Sequence, residues 1–189
     1  MKSQDTKEAI IAETIRMIGL SDGRVEDVTI RAIAQGAGVG VGLVNHYFGS
    51  KEHLIELCVQ RMIQDVVGSF QVEPREGDTA LSVTQRVAKQ VMDFLMAHPE
   101  VSATSILGDL RKPRTDDNSM GTVSGFSFCM SAGLAPEKQR EKAFVLVALM
   151  HESFLRRDVM KASLNVDFYD KKQRDRFLDE AVARVMEAV

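Results

Sequence analysis

The chain has 189 residues with no tryptophan, two tyrosines, four prolines and two cysteines, and only 6% of it is aromatic. Cys58 and Cys129 lie far apart and neither has a C-x-x-C neighbour, so no disulfide framework or paired-thiol redox motif is present. They read as buried thiols of a reducing compartment. No long hydrophobic run occurs: the longest, Ala143 to Met150, is far short of the roughly 20 residues that span a bilayer. The start, Met1-Lys2-Ser3-Gln4-Asp5, lacks the apolar core and small-residue cleavage site of a secretion signal. A cytoplasmic protein is expected.

Positive charge is also in short supply. Lysine and arginine number 24 against 27 acids, a net charge of −3. Any contact with nucleic acid must therefore rest on a local field, not a global one. The signatures of catalysis are missing as well. None of His46, His53, His98 and His151 falls in an H-E-x-x-H motif, and neither cysteine has a histidine at metal-ligand spacing. There is no G-x-S-x-G elbow and no Walker loop. The glycine-rich stretch Gly36 to Gly42 follows a helical pattern instead of a strand, which argues against a phosphate cradle. No enzyme activity, metal or cofactor is expected.

What is present is helix. At 44% hydrophobic and 27% charged the chain is an ordinary globular sequence, and its apolar residues recur every three or four positions without strand-like alternation. The spacing predicts an all-α protein with helices over Thr6–Leu20, Thr29–Gln35, Val39–Tyr47, Lys51 to about residue 70, Thr79–Ala97, Pro99–Leu110, Ser119–Ala132, Pro136 to about Lys161, and Lys171–Ala188. Thr29 and Ser50 are placed to cap the second and fourth helices. Leu54, Cys58, Met62 and Val66 form a stripe on the fourth, Val72 to Asp78 reads as a loop, and the last helix aligns Leu178, Ala181, Val182, Val185 and Val189.

The informative segment runs from Thr29 to Leu54. Two short helices flank Gly36-Ala37-Gly38. Ala34 is small where they would cross, and Gly38 can adopt a positive φ. Ile33, Val39, Leu43 and Val44 are expected to form the buried seam, leaving the outer face of the second short helix free to enter a DNA major groove about 12 Å wide. The residues Thr29, Ile33-Ala34, Ala37-Gly38-Val39, Tyr47-Phe48, Lys51 and Leu54 resemble the DNA-binding domain of the tetracycline-repressor (TetR) family. The likeness covers about the first third of the chain; the rest is similar only in its helical architecture.

That resemblance implies roles for individual residues. Arg31, Val41, Gly42 and Asn45 would face base edges, with Asn45 suited to adenine, Arg31 to guanine, and Val41 to a thymine methyl. Thr29, His46, Tyr47 and Lys51 would contact phosphates. The expected organisation is a helix-turn-helix domain over residues 1–52, a connecting helix over 51–70, and an effector-binding and dimerisation domain over 53–189. The implied partners are double-stranded operator DNA, a small apolar or amphipathic effector, and a second copy of the chain joined through the last two helices. The apolar run Ala143 to Met150 is expected to be buried on every side. Pocket candidates are Phe94, Leu107, Leu110, Phe126, Met130, Phe144, Val147 and His151. The expected function is that of a ligand-responsive repressor on a near-palindromic operator.

Two departures bear on affinity. Glycines alternate at 38, 40 and 42, which predicts a weakly ordered recognition helix, since an interior glycine costs up to about 1 kcal/mol relative to alanine. Residues 1–60 carry six cations against eight acids, so the domain is not basic. These features leave open a second reading, a helical dimeric adaptor that has lost specific DNA binding.

Overall fold

Helix follows helix from Lys2 onward in the computed structural model, as the three- and four-residue spacing of apolar side chains requires. The structure describes the backbone of residues 2–21, 25–67, 75–130 and 133–187, and the side chains of residues 4–21, 25–62, 75–130 and 133–187. The elements are α1 (Lys2–Leu20), α2 (Ile30–Gly36), α3 (Val41–Phe48), α4 (Lys51–Val67), α5 (Ala80–Ala97), α6 (Pro99–Arg111), α7 (Asn118–Cys129), α8 (Pro136–Leu155), α9 (Arg157–Leu164) and α10 (Lys171–Glu187). No strand occurs among the described residues, and none of their helices is long and apolar enough to cross a membrane. Residues 68–70 of the expected fourth helix, the Val72–Pro74 part of the expected loop, Ala132, Ala188, Val189 and the side chain of Val66 lie outside the described residues.

The chain divides into two compact units. Residues 1–68 with 98–111 form the first, which holds α1 to α4 and α6; residues 69–97 with 112–189 form the second, which holds α5 and α7 to α10. The first is built on one apolar cluster. Ile10 and Ile18 of α1, Ile33 of α2, Val44 of α3 and Leu54 and Cys58 of α4 are fully buried in it, and Val101 of α6 joins the same cluster. Thr14 is buried there too, and its hydroxyl donates to the Ile10 carbonyl at 2.7 Å, so no polar group is stranded. The Cys58 thiol lies 3.7 Å from the Ile11 carbonyl, and burial pushes its pKa up to about 12, so it stays protonated and unreactive. Both cysteines are free and buried.

In the second unit α5 starts with a reciprocal cap. The Ser82 backbone N–H donates to Thr79 Oγ1 at 3.1 Å while the Thr79 N–H donates to Ser82 Oγ at 2.9 Å. A polar seam joins α5 to α10. Lys89 pairs with Asp179 at 2.7 Å, and Asp93 accepts from Lys171 at 2.7 Å and from Arg174 at 2.8 Å. Arg174 is buried and also donates to the Phe168 carbonyl at 2.6 Å. Burial alone would raise the Asp93 pKa; the hydrogen bonds from Lys171 and Arg174 outweigh it and hold the carboxyl below its ordinary range.

Three features differ from the sequence expectation. The long eighth helix does not continue to Lys161 but breaks at Arg156 and restarts as α9. The Arg157 side chain accounts for the break: its guanidinium stacks on the Phe154 ring, 4.7 Å from the centroid, and donates to the Phe154 carbonyl at 3.1 Å. The run Ala143 to Met150 is not buried on every side within the chain. Ala143, Leu146, Val147 and Met150 are buried, whereas Phe144 is 57% exposed and Val145 49%, because no other described element of the chain covers that face. Finally, α7 begins at Asn118 and not Ser119, because Asp117 caps it: one carboxylate oxygen accepts from the Met120 N–H at 2.8 Å and the other from the Arg114 N–H at 2.9 Å.

Candidate nucleic-acid interface

The two short helices of the first unit are joined by a turn whose hydrogen bonds all close locally. The Thr29 hydroxyl accepts from the Ala32 N–H at 3.2 Å and opens α2. At its end the Ala37 N–H reaches the Ile33 carbonyl at 2.9 Å and the Val39 N–H reaches the Ala34 carbonyl at 2.9 Å. Gly38 takes φ +67°, the conformation that glycine adopts without steric cost. Gly40 is the N-cap residue of α3, and Gly42 alone of the three alternating glycines lies inside that helix. The expected loss of helix propensity is therefore confined to one position, about 1 kcal/mol.

Val44 and Phe48, one turn apart, anchor α3 from behind in the apolar cluster. Tyr47 is half-buried beside them, its ring edge-on to His46 at 5.6 Å and to Phe48 at 6.3 Å. The opposite side of α3 is open: Val41, Gly42, Asn45 and His46 are all exposed. Leu43, expected in the buried seam, is exposed as well, at 37%. At 100° per residue it stands a full step from Val44 and falls on the flank of the helix. Ile33 and Val44 do form the seam, with Val39 half-buried against it.

The remaining candidates of the module are distributed as follows. Arg31 is exposed on α2, and Thr29 is exposed with its hydroxyl committed to the cap. Lys51 is half-buried at the start of α4, and its ammonium donates to the Glu26 carbonyl at 3.1 Å, so it is positioned by the chain segment that leads into α2. Other cations are already engaged. Arg16 pairs with Glu13 at 2.6 Å, Arg61 pairs with Glu8, and the Lys7 ammonium sits 5.8 Å from the Phe48 ring centroid. Arg31 has no such partner among the described residues. The pairing with Arg16 holds the Glu13 carboxyl below its ordinary range.

The eight pocket candidates do not share one environment. Phe126, Met130 and Val147 are buried in the second unit, where Phe94 and His151 are half-buried and Phe144 is exposed. Leu107 and Leu110, both exposed, belong to the first unit. Burial dominates at His151 and pushes its pKa down to about 4, although the nearby Asp117 carboxylate pulls the other way.

A capped helix, a tight glycine turn and a second helix backed by a core but open on its outer face make up a helix-turn-helix. Residues 22–58 match the sequence model of the bacterial regulatory proteins of the tetR family. Over 99 residues the chain is 24% identical to the nucleoid occlusion factor SlmA of Actinobacillus pleuropneumoniae serotype 5b, covering 52% of this chain and 48% of that protein. Over 54 residues it is 41% identical to the HTH-type transcriptional regulator BetI 1 of Chromohalobacter salexigens, covering 29% of this chain and 24% of that one. The matched stretches thus span half or less of these relatives. A TetR transcriptional regulator from Rhodococcus sp. RHA1 has the same fold, with a TM-score of 0.68 at 17% identity over 100% of this chain and 98% of that one. A TetR variant from Acinetobacter baumannii AYE in complex with minocycline superposes with a TM-score of 0.65 at 16% identity, over 93% of each chain. The chain belongs to the TetR family of helix-turn-helix transcriptional regulators.

Proposed function

We propose that the chain is a ligand-responsive repressor that binds a near-palindromic operator as a homodimer and is released by a small apolar or amphipathic effector. The observation that carries the DNA reading is the outer side of α3, where Val41, Gly42, Asn45 and His46 stand exposed on a helix held by Val44 and Phe48. In this reading Arg31, Val41, Gly42 and Asn45 meet base edges, while Thr29, His46, Tyr47 and Lys51 meet phosphates. DNA binding is assigned to residues 1–52, with the helix over 51–70 as connector and effector binding and dimerisation assigned to 53–189.

The uncovered Phe144 and Val145 of α8 support a dimer formed through the last two long helices, α8 and α10. A two-fold pairing places equivalent recognition helices one DNA turn apart, about 34–36 Å, and calls for inverted half-sites. The effector would be held by members of the set Phe94, Leu107, Leu110, Phe126, Met130, Phe144, Val147 and His151. Release would pass through α6, since Val101 shares the apolar cluster with Leu54 and Cys58 of α4, so that a displaced α6 disturbs the helix that follows the recognition module. By linkage, operator must then weaken effector binding by the same factor as effector weakens operator binding.

Selection of duplex DNA from a random library by the intact protein tests this reading. A palindrome should emerge. Asn45→Ala should relax base preference at one position per half-site, and Tyr47→Ala should weaken all sequences alike. A library that shows no enrichment overturns the repressor reading and leaves the helical adaptor in its place.

A further inference from the structure

The outer face of α3 carries no permanent charge. Gly42 and His46 lie at its centre, with Val41 and Asn45 on one flank and Leu43 and Tyr47 on the other. A Cβ added at Gly42 would meet nothing within 4 Å, so the middle of the face is an open hollow between two branched aliphatic side chains. Val41 is 40% exposed and Leu43 37%, on a protein whose other described apolar side chains in this module, Ile33, Val44 and Phe48, are packed inward. An exposed valine and leucine bracketing a glycine cannot recognise base edges by hydrogen bonds. They can recognise the one apolar group that the major groove offers, the C5 methyl of thymine, and the bare Gly42 lets the backbone approach closely enough for both to reach.

We infer that this regulator reads its half-site chiefly through thymine methyl groups, with Val41 and Leu43 as the two specificity-determining residues on either side of Gly42. The inference rests on the operator reading above and extends it to the class of base pair that is read. Two observations on charge favour it. Of the described cations in this module, Arg16 and Arg61 are ion-paired and Lys51 is bonded to a backbone carbonyl, so few are left to form bidentate contacts with guanine. Asn45, the remaining base-reading side chain on α3, pairs naturally with adenine, which again selects A·T pairs.

The test takes the operator selected by the intact protein and replaces thymine with deoxyuridine, one position at a time and then in both half-sites together. Removing one methyl leaves base pairing intact and should cost about fourfold in Kd, the equivalent of one buried methyl, and therefore roughly fifteenfold when both half-sites are changed. Val41→Ala should abolish the deoxyuridine effect at one position and Leu43→Ala at another, while both variants keep the wild-type circular dichroism and melting temperature because neither side chain is in the core. If the operator is selected but tolerates deoxyuridine throughout, or if the two variants leave its sensitivity unchanged, methyl readout is overturned and the operator reading stands. If no operator is selected, both fall together.

Discussion

His151 sets up a pH dependence that can be worked out in advance. The imidazole is half-buried on α8 and its pKa is driven down to about 4 by that burial, from an ordinary value of 6.5. Between these two values the unfolded chain binds a proton that the folded chain refuses, so stability falls as the pH falls through this window and is unaffected above it. At pH 5.5 the loss relative to pH 7 is about 1 kcal/mol, and it approaches about 3 kcal/mol once the pH is below 4. For a chain of this size 1 kcal/mol is worth about 2–4 °C in Tm. The paired carboxylates do not confuse the reading. Asp78 and Asp93 are held below their ordinary values, so their contributions are lost only as the pH falls below the ordinary carboxylate range. The assay is thermal unfolding at fixed protein concentration at pH 7 and pH 5.5, for the wild type and for His151→Leu. The wild type should lose the stated few degrees and the variant should lose much less. An equal loss in both proteins would refute the claim that the buried imidazole is its source.

Other consequences are simpler to state. Asp93→Ala should destabilise the second unit by about 2 kcal/mol in urea denaturation, because it strips one partner from the buried Arg174 guanidinium while the bond to the Phe168 carbonyl remains. Phe144→Asp should convert the dimer to monomer at micromolar concentration in sedimentation velocity, since it would place an unpaired charge in the joined α8 face; an unchanged dimer would move the interface elsewhere. The log–log salt dependence of operator binding should be shallow, and a slope steeper than about −8 would mean that many more phosphates are neutralised than the few uncommitted cations allow.

Helix positions were legible because their punctuation is local chemistry. Thr29 and Ser50 cap where they were expected to, the Ser50 hydroxyl accepting from the His53 N–H at 3.1 Å, and Gly38 takes the left-handed turn. What was not legible depends on neighbours far along the chain. The break at Arg156 follows no proline or glycine; it comes from Arg157 reaching back to the ring and carbonyl of Phe154. Its downstream counterpart left a faint signal, since α9 ends on Asn165 in the left-handed region that asparagine tolerates. The all-apolar composition of Ala143 to Met150 says that each face is covered by something but not by what, and within the chain one face stays open. Leu43 was misplaced because a helix of eight residues carries too few turns to separate a flank from a seam. Glycine spacing misled in the same way: counted along the sequence, three glycines weaken α3, but two of them serve its turn and its cap.

The acidic balance of the N-terminal segment looks at first like an argument against DNA binding, and the structure turns it into an argument about discrimination. Glu8 and Glu13 are neutralised by Arg61 and Arg16, so these acids do not add to the field that a phosphate backbone would meet, but the same pairing withdraws two cations from it. Affinity for arbitrary DNA comes almost wholly from cation–phosphate contacts, whereas preference for one site comes from base edges. A protein with few cations to spare therefore loses more of its non-specific binding than of its specific binding, and the ratio of the two improves even as the absolute affinity falls. Lys51 fits this economy: tethered to the Glu26 carbonyl, it offers a fixed contact where a free lysine would offer an indiscriminate one. The selectivity of such a module must then reside in Arg31 and the outward side chains of α3, and weakening those should bring the specific and non-specific affinities together instead of lowering both in parallel.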